Sequence, residues 1–162
     1  MEFGPSWTNH WFKIVVKIPS SWQDYERVQF EFDNSGEAMV FTTDGLPLQG
    51  LTGGFAGDRR VEFIIPENMR KASSYTFYIE GSCNGMFGIN NTDPPDPDRY
   101  FRLASADLVV PNMEAWRLMW DFGILKQITE SLPWETPLTN KALYAANELM
   151  NTFEPGSQES IK

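Results

Sequence analysis

Between Trp11 and Pro111 the apolar residues of this chain recur at every second position. Phe12, Ile14, Val16 and Ile18 alternate with Lys13 and Lys17, and Val28, Phe30 and Phe32 alternate with Arg27, Gln29, Glu31 and Asp33. Val61, Phe63 and Ile65 flank Glu62, while Tyr75, Phe77 and Ile79 flank Thr76 and Glu80. Successive side chains of a strand point to opposite faces, so each run carries one apolar and one polar face. Strands of that kind are half-buried and belong to antiparallel sheets. The runs are separated by Pro19-Ser20-Ser21, Asn34-Ser35-Gly36, Asp44-Gly45 and Pro66-Glu67-Asn68. Asp44-Gly45 suits a tight hairpin, because glycine accepts the positive φ such turns require. Phe101 and Leu103 give way to Ala106, Leu108 and Val110, a one-residue slip of the kind a bulge produces. Short strands at this spacing predict a mainly β fold, an antiparallel β-sandwich of jelly-roll type over residues 1–111.

At Pro111 the period changes. Asn112 is placed to cap a helix with apolar positions Met113, Trp116, Trp120, Ile124 and Ile128, broadened by Met119, Phe122 and Leu125 and stopped by Pro133. A second helix near Leu138 to Phe153 puts Ala142, Ala145, Leu149 and Phe153 on one stripe. Residues 112–154 therefore form a two-helix extension, and residues 155–162, "PGSQESIK", a polar tail expected to fray. The helices carry too much apolar surface to stand in water, so they pack on the sandwich, on each other, or on something beyond this chain.

The 162 residues and 41% hydrophobic content suit one domain with an appendage. A net charge of -9 and the absence of a Lys/Arg cluster argue against sequence-independent nucleic-acid binding and against anionic membranes. The single cysteine, Cys83, makes no internal disulfide, which favours a reducing, cytoplasmic setting. No long apolar run or signal peptide stands out. Asn90-Asn91-Thr92 matches a glycosylation acceptor and is read as fortuitous in that compartment.

Catalytic raw material is scarce. A zinc site that activates water needs several histidines, thiolates or carboxylates, and the chain holds one histidine, His10, and one cysteine. No nucleophile elbow is present, and "LTGGFAG" lacks the lysine of a phosphate loop. No catalytic or metal-ligating residue is assigned. Carboxylates are plentiful, but they lie mostly on the polar side of strands, where solvation explains them. Asp93, Asp96 and Asp98, interleaved with prolines, read as a rigid turn before they read as calcium ligands. Cys83 reads as a small packed hydrophobe. An aromatic face can stack on a pyranose ring, which makes Trp7, Trp11 and Trp22 candidate sugar platforms. Trp116 and Trp120 are candidates for a helix interface.

Four blocks, "FGPSWTNHWFK" (3–13), "DGLPLQGLTGG" (44–54), "CNGMFG" (83–88) and "PPDPDRYFRLASADL" (94–108), occur in this order. Together they resemble the N-terminal domain of the cytosolic and vacuolar α-mannosidases of glycoside hydrolase family 38, the fungal vacuolar type in particular. "ALYAANELMN" (142–151) resembles that family's lead-in to its catalytic barrel. The resemblance implies a parent enzyme that is a retaining exo-α-mannosidase acting on free oligomannosides with a divalent metal, usually zinc. In the family, that metal sits among histidines and aspartates of the barrel, beginning with a His-x-Asp motif that this chain does not contain. The fragment is thus expected to bind no catalytic zinc and to hydrolyse nothing.

The family's "CNGMFG" and "PPDPD" blocks belong to one connection, so Cys83, Asn84, Met86 and Phe87 are candidates for a contact with the barrel or a neighbouring subunit. Met86 and Phe87 would be its apolar tip, which could equally plug the end of the sandwich. Three roles follow: a non-catalytic domain that supports the barrel and a homo-oligomer, a stand-alone carbohydrate-binding module, or a docking platform for a selective-autophagy receptor. The resemblance favours the first, with the third as an added role and with delivery from cytoplasm to vacuole.

Overall fold

The computed structural model describes residues 1–53, 59–72, 74–84 and 96–161. In chain order the elements are β1 (Glu2–Phe3), β2 (Asn9–Val16), β3 (Gln29–Asp33), β4 (Glu37–Phe41), β5 (Pro47–Thr52), β6 (Glu62–Ile64), the single-turn helix α1 (Glu67–Arg70), β7 (Tyr75–Ser82), β8 (Phe101–Arg102) and β9 (Ser105–Val109), followed by α2 (Met113–Ser131) and α3 (Pro137–Thr152). The chain divides into two compact units, Met1–Val110 and Pro111–Lys162.

In the first unit the strands form three antiparallel sheets. One has four strands in the order β2-β7-β4-β5, one has three in the order β6-β3-β9, and one is the pair β1-β8. The alternation dictates the core. Val16, Val40, Leu51, Phe77 and Ile79 of the four-stranded sheet are buried with Val28, Phe30, Phe32, Phe63 and Ile65 from β3, β6 and their ends. Phe77 meets Phe30 edge-on at 5.5 Å and Phe63 at 5.2 Å, geometry that aromatic quadrupoles favour. This is a sandwich, with the inner faces of two sheets closing on one apolar layer. A smaller cluster, Phe3, Cys83 and Phe101, seals one end.

The Asp44-Gly45 hairpin joins β4 to β5: Gly45 has φ +82° and its N–H donates to Thr42 O at 3.1 Å, while Thr42 N–H donates to Leu46 O at 2.9 Å and Leu46 N–H to Thr42 Oγ1 at 3.0 Å. The apolar slip after Leu103 is not a bulge. Phe101 and Arg102 pair with β1, whereas Ser105 to Val109 pair with β3, so the chain changes sheets at Leu103-Ala104. Leu103 N–H donates to Met1 O and Ala104 N–H to Asp33 O at the crossing. A change of partner and a bulge shift the alternation equally, and pattern alone does not separate them. A register irregularity lies between Val40 and Phe41 in the β4–β5 pairing.

In the second unit, Asn112 caps α2, its Oδ1 accepting from Ala115 N–H at 3.1 Å, and Thr136 caps α3, its Oγ1 accepting from Thr139 N–H at 3.2 Å. Pro137 takes the first position of α3, where its missing N–H costs nothing. The stripe expected on α2 is rotated. Ala115, Leu118 and Phe122 line one apolar recess with Leu149 and Phe153, while Trp116, Trp120 and Ile124 lie at 38%, 52% and 54% exposure. On α3 Thr139 and Ala142 are buried and Ala146 and Leu149 half-buried, as is Phe153 at its C-terminal cap, and Ala145 is exposed. The period locates a helix, but an apolar girdle as wide as that of α2 leaves its inward direction to the partner. Residues 155–161 make side-chain bonds to the start of α2. Gln158 accepts from Asn112 Nδ2 at 2.9 Å and donates to Glu114 Oε2 at 2.6 Å, tying the 3-10 turn Glu159–Ile161 to the start of α2.

Candidate functional site

Cys83 and Asn84 sit where β7 leaves the sandwich. Cys83 is fully buried; its N–H donates to Thr8 O at 2.9 Å and its carbonyl accepts from Trp7 N–H at 2.9 Å. These two bonds anchor the end of β7 to the Trp7-Thr8 segment. Asn84 Nδ2 donates to Glu37 Oε2 at 3.2 Å. Met86 and Phe87, with Asn90-Asn91-Thr92 and Asp93, lie outside the described residues.

The anchor is held by the β3–β4 turn, Asp33-Asn34-Ser35-Gly36. Asp33 Oδ1 accepts from Ser35 N–H at 2.9 Å, Asn34 Oδ1 accepts from Gly36 N–H at 3.3 Å, and Asn34 Nδ2 donates to Glu37 O at 3.0 Å. Local bonds of this kind let Ser35 adopt φ 59°. The turn also reaches outward: Ser35 Oγ donates to Arg102 O at 2.9 Å, Gly53 N–H donates to Gly36 O at 2.8 Å, and Arg59 pairs with Asp33 Oδ2 at 2.6 Å. A Cβ on Gly36 would stand 2.7 Å from Ser82 O, and one on Gly81 2.8 Å from Asn34 Nδ2. Five chain segments thus meet at one end of the sandwich. The sequence shows the turn residues but not these partners, which are far away along the chain.

His10 is half-buried, its Nε2 3.0 Å from Thr8 Oγ1 and its ring edge-on to Phe3 at 5.3 Å. Asp96 Oδ1 accepts from Asp98 N–H at 2.9 Å, a turn bond within the proline-rich stretch. Among the described residues, no three His, Cys, Asp or Glu side chains gather where a metal ion could be held. No described helix is long and apolar enough to cross a membrane.

The tryptophans fall into three settings. Trp22 packs against the main core. Trp7, at φ 65°, and Trp11 are each 59% exposed. The Trp11 ring reaches across β7 to Phe41 on β4, centroids 5.3 Å apart. Trp116 and Trp120 contact each other edge-on at 5.9 Å on the outer side of α2, near Met119 and Ile124 in sequence. Phe41 carries no clear signal in the sequence because β4 has apolar residues on both faces. The Glu37–Phe41 run thus reads as no clear alternation.

Residues 1–109 match the family model described as "Alpha-mannosidase, jelly roll domain". The chain is 38% identical over 153 residues to Alpha-mannosidase G of Dictyostelium discoideum, covering 93% of this chain and 14% of that protein. It is 35% identical over 164 residues to an alpha-mannosidase of Saccharomyces cerevisiae, and 31% identical over 165 residues to human Alpha-mannosidase 2C1. Each of these matches covers 99% of this chain and 15% of the relative. The chain thus spans about 15% of the length of the curated relatives it matches. The jelly-roll match extends over both sheets of the sandwich, and the chain belongs to the alpha-mannosidase jelly-roll domain family.

Proposed function

We propose that this chain is a non-catalytic N-terminal domain of a retaining α-mannosidase that degrades free oligomannosides, and that it supports the catalytic part of the enzyme and its homo-oligomer. The observation that carries this reading is the uncovered apolar surface of the helical unit. Met119, Trp120 and Ile124 of α2 are 58%, 52% and 54% exposed, and Leu143, Tyr144 and Met150 of α3 are exposed as well. Apolar surface on this scale, on a chain matching a small part of its relatives, suits a joint with further protein. Each fully covered side chain of this size contributes about 1.5–3 kcal/mol.

The zinc of such an enzyme would belong to another part of it. The donors here do not fit a zinc site: His10 is engaged with Thr8, Cys83 is buried against Phe3 and Phe101, and no third ligand joins them among the described residues. The parent works in the cytoplasm and is carried to the vacuole, and the acidic chain, with net charge -9, offers a surface to a basic-faced selective-autophagy receptor. Metal analysis and a chromogenic α-mannoside assay on the purified 162-residue chain test the non-catalytic reading. Both should be blank. Stoichiometric zinc with turnover would overturn it.

A further inference from the structure

On the outer face of the four-stranded sheet, one row of register partners runs Trp11, Glu80, Met39, Gly50 across β2, β7, β4 and β5. Gly50 contributes no side chain to the row, and an open recess of about 440 Å³ lies there, lined by Glu37, Met39, Gly50 and Glu80 among others. A Cβ built on Gly50 would meet only Met39 Cε, at 3.9 Å, so neither crowding nor backbone strain requires glycine here. Outside the recess lining, next to Glu80 in the row, the half-exposed Trp11 ring reaches across β7 to Phe41. Asn9 Nδ2 donates to Glu80 Oε1 at 2.9 Å and fixes that carboxylate at the rim, while Glu80 Oε2 takes no hydrogen bond among the described residues.

We infer that this face binds a neutral oligosaccharide, one pyranose stacking on Trp11 and the next placing its hydroxyls in the Gly50 recess against Glu80. The chemistry selects that class. An indole face carries negative quadrupole density that attracts the polarised C–H bonds on one side of a pyranose. A carboxylate accepts hydroxyl protons in charge-assisted bonds, which favours polyols. Glu37 and Glu80 at the same rim, on a chain of net charge -9, repel anionic sugars, nucleotides and acidic peptides. A shallow site with few polar groups gives affinity in the millimolar range. The inference stands apart from the supporting role of the helices, and a failure to bind sugar would leave that role untouched.

Amide NMR of the 162-residue chain, titrated with mannobiose and with cellobiose, tests it. At least one disaccharide should give saturable shifts centred on residues 37–41 and 80–82. Trp11→Ala and Gly50→Val should each abolish them, and Glu80→Gln should weaken binding about fivefold, the loss of one charge-assisted hydrogen bond. Gly50→Val fills open space on a strand, so its melting temperature should stay within about 2 °C of the parent chain. No saturable shift from either sugar at about 50 mM, or full affinity in either the Trp11 or the Gly50 variant, overturns the proposal.

Discussion

Gly36 and Gly50 are both glycines of the four-stranded sheet and its margins, yet the structure gives them opposite meanings. A methyl group on Gly36 would lie 2.7 Å from Ser82 O and 2.9 Å from Asn84 O, and both obstacles are backbone. Neither can yield without moving β7 at the anchor of the Cys83 segment. Gly36→Ala should therefore destabilise the sandwich by about 2–4 kcal/mol, whereas Gly50→Ala should change it by less than about 0.5 kcal/mol. Urea unfolding followed by fluorescence reads both. Equal effects would mean that the turn and β7 are not packed as described. Asn34 shows the same dependence on distant partners. It reads in the sequence as a turn residue beside Gly36, but its burial to 1% exposure follows from Gly81 leaving room for its amide. That pairing joins residues 47 positions apart, and local chemistry carries no trace of it.

At the scale of elements, the legible parts were those whose signal is local. The strands containing Phe30, Phe32, Phe63, Phe77 and Ile79 follow from strict alternation, and these side chains are the core. The helix caps Asn112 and Thr136 show the difference between a signal read and one passed over. Asn112 was legible because it stands directly before the change of period, whereas Thr136 is followed by Pro137, which reads first as a breaker. A two-residue strand such as β1 has no period at all, and it exists because β8 lies beside it. The polarity of the tail reads as solvation, and the bonds of Gln158 with Asn112 and Glu114 have no local signal. Asn112 therefore has two roles, cap and tether. Asn112→Ala should cost about 1–2 kcal/mol in the helical unit, more than a cap alone at an exposed helix start. Loss of helical circular dichroism on heating measures it. A change below about 0.5 kcal/mol would show that the tail does not hold the helix start.

Over the whole molecule, a sandwich with a closed core is joined to a helical unit that leaves aromatic and aliphatic side chains in water. Apart from exposed side chains such as Trp7, Trp11 and Val15, the first unit closes a core of its own: Phe77 and Ile79 are fully buried, as are Val28 and Val40. The second does not, and nothing in its own packing needs Trp120 or Ile124 on the outer side of α2. In a domain that stood by itself these positions would favour polar residues, since exposed apolar patches promote association. The direct measurement is therefore a pair of assays on Trp120→Ser with Ile124→Ser, made once in this chain and once in a full-length mannosidase that contains it. The melting temperature of the isolated chain should stay within about 3 °C, because neither side chain is covered there. In the full-length protein, mannoside turnover or the assembled oligomer should be lost at temperatures the parent tolerates. Full activity and unchanged assembly in the double variant would contradict a supporting role for this domain.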